Sequence, residues 1–180
     1  MNITNELEQA SKLINSIAST FNLSEEKTKA VVQEVTPTLT EGLKFKLQQD
    51  SGRFRDIERS SEHFSQYLDE DDLANDTTAV NEGKQILGDI FGSKDISRKV
   101  ANNVEQKTGV QHSIVEQILP MLATAVMGSL GKQFNAASQT GTGKQSDIYK
   151  SILTLLDQNK DGNVMDDVLR MFSGLFGGKK

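Results

Sequence analysis

The sequence contains no cysteine, and this absence removes several classes of chemistry. Without thiols the chain has no disulfide framework, no thiolate nucleophile and no cysteine-ligated zinc or iron–sulfur centre. Histidine is nearly as scarce, since His63 and His112 are the only two. Neither has the surrounding residues of a catalytic triad or a zinc site, so we interpret both as surface or helix-capping residues. The sequence therefore assigns no catalytic residue.

The sequence also has no stretch that predicts a membrane-spanning segment or a targeting signal. The most apolar stretch, residues 114–130, is interrupted by Glu116, Gln117 and Pro120 and is shorter than the roughly 20 apolar residues of a membrane span. It is predicted to be a buried helix. Residues 1–9 have no basic region followed by an apolar run, so we expect no secretory signal and a cytoplasmic location.

Neither basic nor acidic residues are in strong excess. The chain carries 20 basic and 25 acidic residues, a formal net charge of -5, and its basic residues are scattered along the sequence. Such a chain has no broad attraction for phosphate backbones, so we do not expect nucleic acid as a partner. With 36% apolar and 25% charged residues in 180 positions, the composition is that of a folded protein with one sizeable core or two small ones.

Apolar residues recur at helical spacing through most of the chain, whereas alternating runs of β-branched and aromatic residues are nearly absent. This pattern predicts an all-α fold. The first helix is predicted to begin after an Asn5 cap and to end at Asn22, and Ser24 is predicted to cap the second. Two later helices are predicted to end at Gly92 and Gly109, and Ser113 to cap the helix that follows.

The two halves of the sequence resemble each other. Residues 12–24 align with residues 99–111 at an offset of 99 − 12 = 87, and Pro37 aligns with Pro120 at an offset of 120 − 37 = 83. The four-residue difference is about one helical turn, so the apolar faces stay in register. The pattern predicts two pseudo-repeated helical hairpins, each kinked at its proline. Chance similarity between two amphipathic helix pairs is the alternative.

A multihelical array of five segments follows from these patterns. One of them is a connector that contains an acidic run at residues 69–72. We interpret this run as solvated, and attraction of a cation or a basic partner is the alternative. The last segment is predicted to begin with a helix capped by Ser146. That helix carries an apolar stripe of Ile148, Ile152, Leu155 and Leu156. The segments are an N-terminal repeat over 1–68, an acidic and polar connector over 69–79, a second repeat over 80–134, a flexible linker over 135–145 and a C-terminal helix-loop-helix over 146–178.

Several motifs carry a resemblance to a known family. They are the run EGKQILGDIFGSK at 82–94, TGV at 108–110, LPML at 119–122, VMG at 126–128, and LLD at 155–157 with DGNV at 161–164. On these motifs the chain resembles the bacterial family labelled domain of unknown function nine-three-seven, which is related to YidB-like proteins. The resemblance implies a helical bacterial protein. It implies no catalytic residue, because the family has no established activity.

The strongest candidate for chemistry is a C-terminal loop, DQNKDGNV at 157–164, which matches the first eight positions of an EF-hand. Position twelve holds Val168 in place of the bidentate glutamate. The pattern therefore predicts at most a weak or structural calcium site, and a polar turn between two helices is the alternative. The predicted ligands are Asp157, Asn159, Asp161, Asn163 and Asp167.

For function, these observations favour a non-enzymatic interaction or scaffold module that acts through contacts with a protein partner and is compatible with a homo-oligomer. The apolar core is plentiful, and the sequence shows no set of nucleophile, base and oxyanion donors. A calcium-responsive, EF-hand-like protein is the first alternative. The second alternative is an enzyme that uses carboxylates brought together by the fold.

Overall fold

The computed structural model describes residues 3–49, 54–69, 71–139 and 150. Within these residues the chain forms six α-helices and two short 3₁₀ turns and contains no strand, so the all-α prediction is confirmed. The helices are α1 (Ile3–Phe21), α2 (Glu25–Gln49), α3 (Phe54–Ser65), α4 (Thr77–Phe91), α5 (Lys94–Thr108) and α6 (His112–Gln139), and the 3₁₀ turns are Gln66–Asp69 and Leu73–Asn75.

Several predicted helix boundaries lie where the sequence placed them. Asn22, Gly92 and Gly109 adopt left-handed backbone angles, with φ of 52°, 73° and 74°. The hydroxyls of Ser24 and Ser93 each accept a backbone amide from three residues further on, at 3.2 and 3.4 Å. Local sequence was sufficient at these positions because both features depend only on neighbouring residues.

Two predicted helix starts are wrong. Helix α1 begins at Ile3, so Asn5 lies inside the helix rather than at its cap. Helix α6 begins at His112 rather than after Ser113, and the carbonyl of Gln111 accepts the first amide, from Ile114, at 2.9 Å. A side-chain cap contributes only about 1 kcal/mol, which is too little to fix a boundary when the chain can continue the helix.

Helix α6 lies at the centre of the fold and packs against α2, α3, α4 and α5. Among the described helices it alone is long and apolar enough to span a membrane, and 72% of its apolar window is buried inside the protein. Leu119, Leu122 and Ala123 are almost completely buried there. The prediction of a buried core helix is therefore confirmed. The helix also runs to Gln139, beyond the start of the predicted linker at 135.

Glycines set two close crossings of α6. A Cβ atom at Gly131 would overlap the carbonyl of Ser61 on α3, and one at Gly83 on α4 would overlap the carbonyl of Pro120. The Thr124 hydroxyl lies beside the second crossing, 2.8 Å from the Ala79 carbonyl oxygen and 3.1 Å from that of Pro120. These crossings bring backbone against backbone, so no residue larger than glycine fits.

The two predicted repeats each cover a pair of consecutive helices. Helices α1 and α2 are joined around Asn22, and α5 and α6 are joined around Gly109. Pro37 and Pro120 each lie inside the second helix of their pair. Equivalence of the two hairpins in backbone geometry, a kink at each proline and the boundaries of the five segments stay predictions.

The acidic run after α3 holds the chain against two helices. Asp69 accepts from Lys132 of α6 at 3.0 Å, and Asp71 pairs with Lys12 of α1 at 2.8 Å. Both carboxylates are largely exposed. The Lys132 hydrogen bond is the main cause that lowers the pKa of Asp69. The carboxylates were predicted to be solvated, and the structure adds that they are paired.

Ser16 ties α1 to the second 3₁₀ turn. Its buried hydroxyl donates to Asp72 at 2.8 Å and accepts the buried amide of Ala74 at 3.1 Å. We expect Ser16→Ala to lower the free energy of unfolding by about 1 to 2 kcal/mol, because the Ala74 amide loses its acceptor. Urea denaturation measures this. Ser19→Ala, an exposed change on the same helix, is the control, and equal losses in the two variants would contradict the role of Ser16.

Candidate functional site

An apolar groove of about 390 Å³ lies between α1, α2 and α6, and Leu68 of the first 3₁₀ turn also lines it. We term it the α1–α6 groove. Most of its surface is apolar, although six of its fourteen lining residues have polar side chains. The lining residues are Gln9, Ala10, Leu13, Val32, Thr36, Thr40, Leu68, Leu122, Ala125, Val126, Ser129, Leu130, Lys132 and Gln133.

The groove lies over apolar side chains that the rest of the core covers only in part. Leu13, Val32, Leu68 and Val126 pack against the core but are only partly buried, so each presents some apolar surface to the groove. Leu122 and Leu130 are buried beneath them. The floor of the groove is therefore continuous with the hydrophobic core, and side chains that enter it lose contact with water.

The charges at the rim of the groove are neutralised within the chain. Lys132 and Gln9 both contact the same oxygen of Asp69, at 3.0 and 2.9 Å. With this cation already paired, the groove offers apolar surface and hydroxyl or amide groups rather than a net charge. Its chemistry fits aliphatic side chains better than a charged ligand.

A second concavity, the α3–α4 pocket, has a volume of about 590 Å³ and lies between α2, α3, α4 and α6. Its floor is apolar, and its edge carries charges of both signs. Asp56 and Asp89 are exposed and Glu82 is half-buried, so the pocket does not gather a buried pair of acids. The lining residues are Leu43, Lys46, Asp56, Ile57, Arg59, Ser60, His63, Phe64, Glu82, Gln85, Ile86, Asp89, Ile90 and Met127.

A hydrogen-bonded cluster stands at the edge of this pocket. Glu82 of α4 accepts from the Tyr67 hydroxyl at 2.9 Å and lies 3.1 Å from Nε2 of His63. The Gln66 amide nitrogen lies 2.9 Å from the other ring nitrogen of His63, so both ring nitrogens have a polar partner. The rings of Phe64 and Tyr67 pack edge-on against the imidazole, with centroids 5.4 and 5.6 Å from it. The cluster fastens α3 and the following turn to α4.

Both histidines are about half exposed. His63 pairs with Glu82, and His112 contacts Glu105 through Nδ1 at 2.9 Å. They are surface residues, as predicted. The contact between His63 and Glu82 was not foreseen, because the two residues lie on separate helices and 19 positions apart in the chain.

The predicted calcium ligands Asp157, Asn159, Asp161, Asn163 and Asp167 lie outside the residues that the structure describes. Their prediction therefore stands on the sequence alone. Over the described part of the chain, no group of three or more histidine, aspartate or glutamate side chains is arranged to hold a metal ion.

A family model described as bacterial proteins of unknown function, DUF937, matches residues 5–133. The chain belongs to this family. The resemblance stated from the sequence motifs is thus confirmed, and the matched region of the DUF937 chain includes both concavities. None of the curated proteins and none of the solved structures compared with the chain matches it.

Several motif residues in the described part of the DUF937 chain lie where helices cross. Gly83 and Pro120 meet at the crossing of α4 and α6, and Gly128 approaches the backbone of Phe64 on α3. Glu82, beside Gly83, accepts the hydrogen bonds of the cluster described above. These motif residues hold the helices against one another.

Proposed function

We propose that this protein is a non-enzymatic interaction module whose α1–α6 groove binds an amphipathic helix of a protein partner. The observation that carries the proposal is the groove itself, where partly buried aliphatic side chains from three helices face an opening with a neutralised rim. A helix laid into an apolar groove is a recurring mode of peptide recognition, and an all-helical scaffold offers such grooves between its helices.

The dimensions of the groove define the partner. Along α6 the lining residues run from Leu122 to Gln133, which at 1.5 Å per residue is a length of roughly 17 Å. About three turns of a helix fit this length. Because the groove is aliphatic and carries no free charge on Lys132, the partner helix is expected to present aliphatic side chains at positions i, i+4 and i+7.

Photo-crosslinking of the full chain in cells tests the proposal. A photoreactive residue at Ala10, an exposed groove position, is expected to give a discrete cross-link to a polypeptide segment with this aliphatic spacing. Leu13→Asp is expected to reduce the cross-link about tenfold or more, because one apolar anchor contributes roughly 1.5–3 kcal/mol.

Ile96→Asp provides the matched control, since Ile96 is also a partly buried aliphatic residue but lies on α5 outside the groove. Thermal unfolding of both variants checks that they are folded to the same extent. Cross-links that are equally intense in the two variants, or that occur equally from Asn102 on the exposed side of α5, would show that the groove is not the binding surface.

A calcium site over residues 157–167 is a further part of the proposal, supported by the EF-hand-like sequence pattern. Calcium is expected to raise the melting temperature of the full chain above its value in chelator. At a calcium concentration about ten times the dissociation constant, the free energy of unfolding rises by about 1.4 kcal/mol. Asp161→Asn is expected to remove the effect. If millimolar calcium leaves the melting temperature unchanged, the polar-turn interpretation holds instead.

A further inference from the structure

We infer that residues 146–156 of this same chain occupy the α1–α6 groove and must be displaced by the partner. The inference rests on the groove being the binding surface of the proposed function. Binding of the partner would then be regulated by this segment, because the partner helix and the segment compete for the same groove.

The position of the groove relative to the end of α6 makes this arrangement reachable. Helix α6 ends at Gln139, and the near end of the groove is at Gln133, six residues or about 9 Å back along the same helix. Ile148 lies nine positions after Gln139 in the sequence, and nine positions reach up to about 30 Å when extended. The chain that leaves α6 is therefore long enough to turn back and enter the groove.

The sequence of the segment has the apolar spacing that the groove requires. The sequence predicts a helix after Ser146 with Ile148, Ile152, Leu155 and Leu156 on one stripe, which is the i, i+4, i+7 and i+8 spacing. From the first to the last of these residues the helix measures about 12 Å, against roughly 17 Å for the groove. Laid antiparallel to α6, the stripe fits within the length of the groove.

Charge favours the same occupant. The stripe is wholly aliphatic, and Lys132 at the groove rim is already paired with Asp69, so docking desolvates no unpaired cation at that position. A short tether also gives the segment an effective concentration of about a millimolar, far above that of a partner in solution. The segment therefore fills the groove unless a partner binds more tightly.

Paired cysteines in the full chain test the inference, and the absence of native cysteine makes the labelling specific. Ser129 is exposed on the groove rim, and Ser151 flanks the predicted stripe. With a short bismaleimide, the pair Ser129→Cys and Ser151→Cys is expected to cross-link within one chain about tenfold more than Asn102→Cys with Ser151→Cys. Peptide mass spectrometry identifies the product, and electrophoresis separates monomer from dimer.

Two substitutions in the segment distinguish binding in the groove from cross-linking by random collision. Ile152→Asp places a charge on the stripe and is expected to reduce the Ser129–Ser151 cross-link to the level of the Asn102 pair. Thr154→Asp, on the opposite side of the predicted helix, is expected to leave it unchanged. Equal yields from the two cysteine pairs would overturn the inference, and so would cross-links that occur mainly between chains, because a second copy would then be the occupant.

The partner cross-link from Ala10 distinguishes failure of the inference from failure of the proposed function. If both are right, Ile152→Asp raises the partner cross-link severalfold. A partner cross-link that persists without any within-chain product refutes the inference and keeps the proposed function. A strong within-chain product without a partner cross-link, even in Ile152→Asp, refutes the displacement and makes the groove an internal packing site.

Discussion

Gly131→Ala is expected to lower the free energy of unfolding by about 2 to 3 kcal/mol. Gly131 lies where α6 crosses α3, and a Cβ atom there would overlap the carbonyl carbon and oxygen of Ser61. These are backbone atoms at a buried residue, so the two helices have to move apart to admit a methyl group. The loss is measured by urea denaturation followed by circular dichroism.

Gly88→Ala is the matched control, because Gly88 is also inside a helix but has no atom within 4 Å of the position that a Cβ would take. It is expected to gain about 0.5 to 1 kcal/mol from the higher helix propensity of alanine. Gly83→Ala, opposite the Pro120 carbonyl, should behave like Gly131→Ala. A gain in stability at Gly131 would contradict the close crossing of α3 and α6.

Lys44→Met is expected to cost about 3 to 5 kcal/mol, the range seen when one partner of a buried ion pair is removed. Lys44 is only 1% exposed and Glu41 only 8%, and Lys44 Nζ lies 3.9 Å from a carboxylate oxygen of Glu41. Methionine fills much of the same volume. The decrease in the free energy of unfolding is therefore caused by removal of the positive charge rather than by a cavity. Denaturant unfolding measures this decrease.

Lys29→Met makes the same change on the same helix at a side chain that is 53% exposed, and it is expected to alter stability by less than about 0.5 kcal/mol. The double variant Glu41→Gln with Lys44→Met should cost less than the sum of the two single changes, because each single change leaves a charge in a buried place. Additive losses would show that the two residues do not interact.

The burial of Lys44 and Glu41 could not be predicted from the sequence. A glutamate and a lysine three residues apart on a helix are ordinarily a solvent-exposed pair. Here both are buried, because α2 packs against α4, α5 and α6 on neighbouring sides. Glu25 and Lys29, an acidic and a basic residue four positions apart on the same helix, are exposed, and the charge pattern alone does not indicate which of the two pairs is buried.

The sequence by itself determined the helical class of the chain, its family and several of its helix ends. Helical periodicity, a serine cap and a left-handed residue such as Asn22 or Gly109 act within a few positions, so they can be recognised without the rest of the fold. The tertiary structure alone decided which helices cross at Gly83 and Gly131, that His63 meets Glu82, and that the stripes of α1, α2 and α6 leave a groove. Those features join residues far apart in the chain, and their geometry follows from how whole helices pack, which no local pattern records.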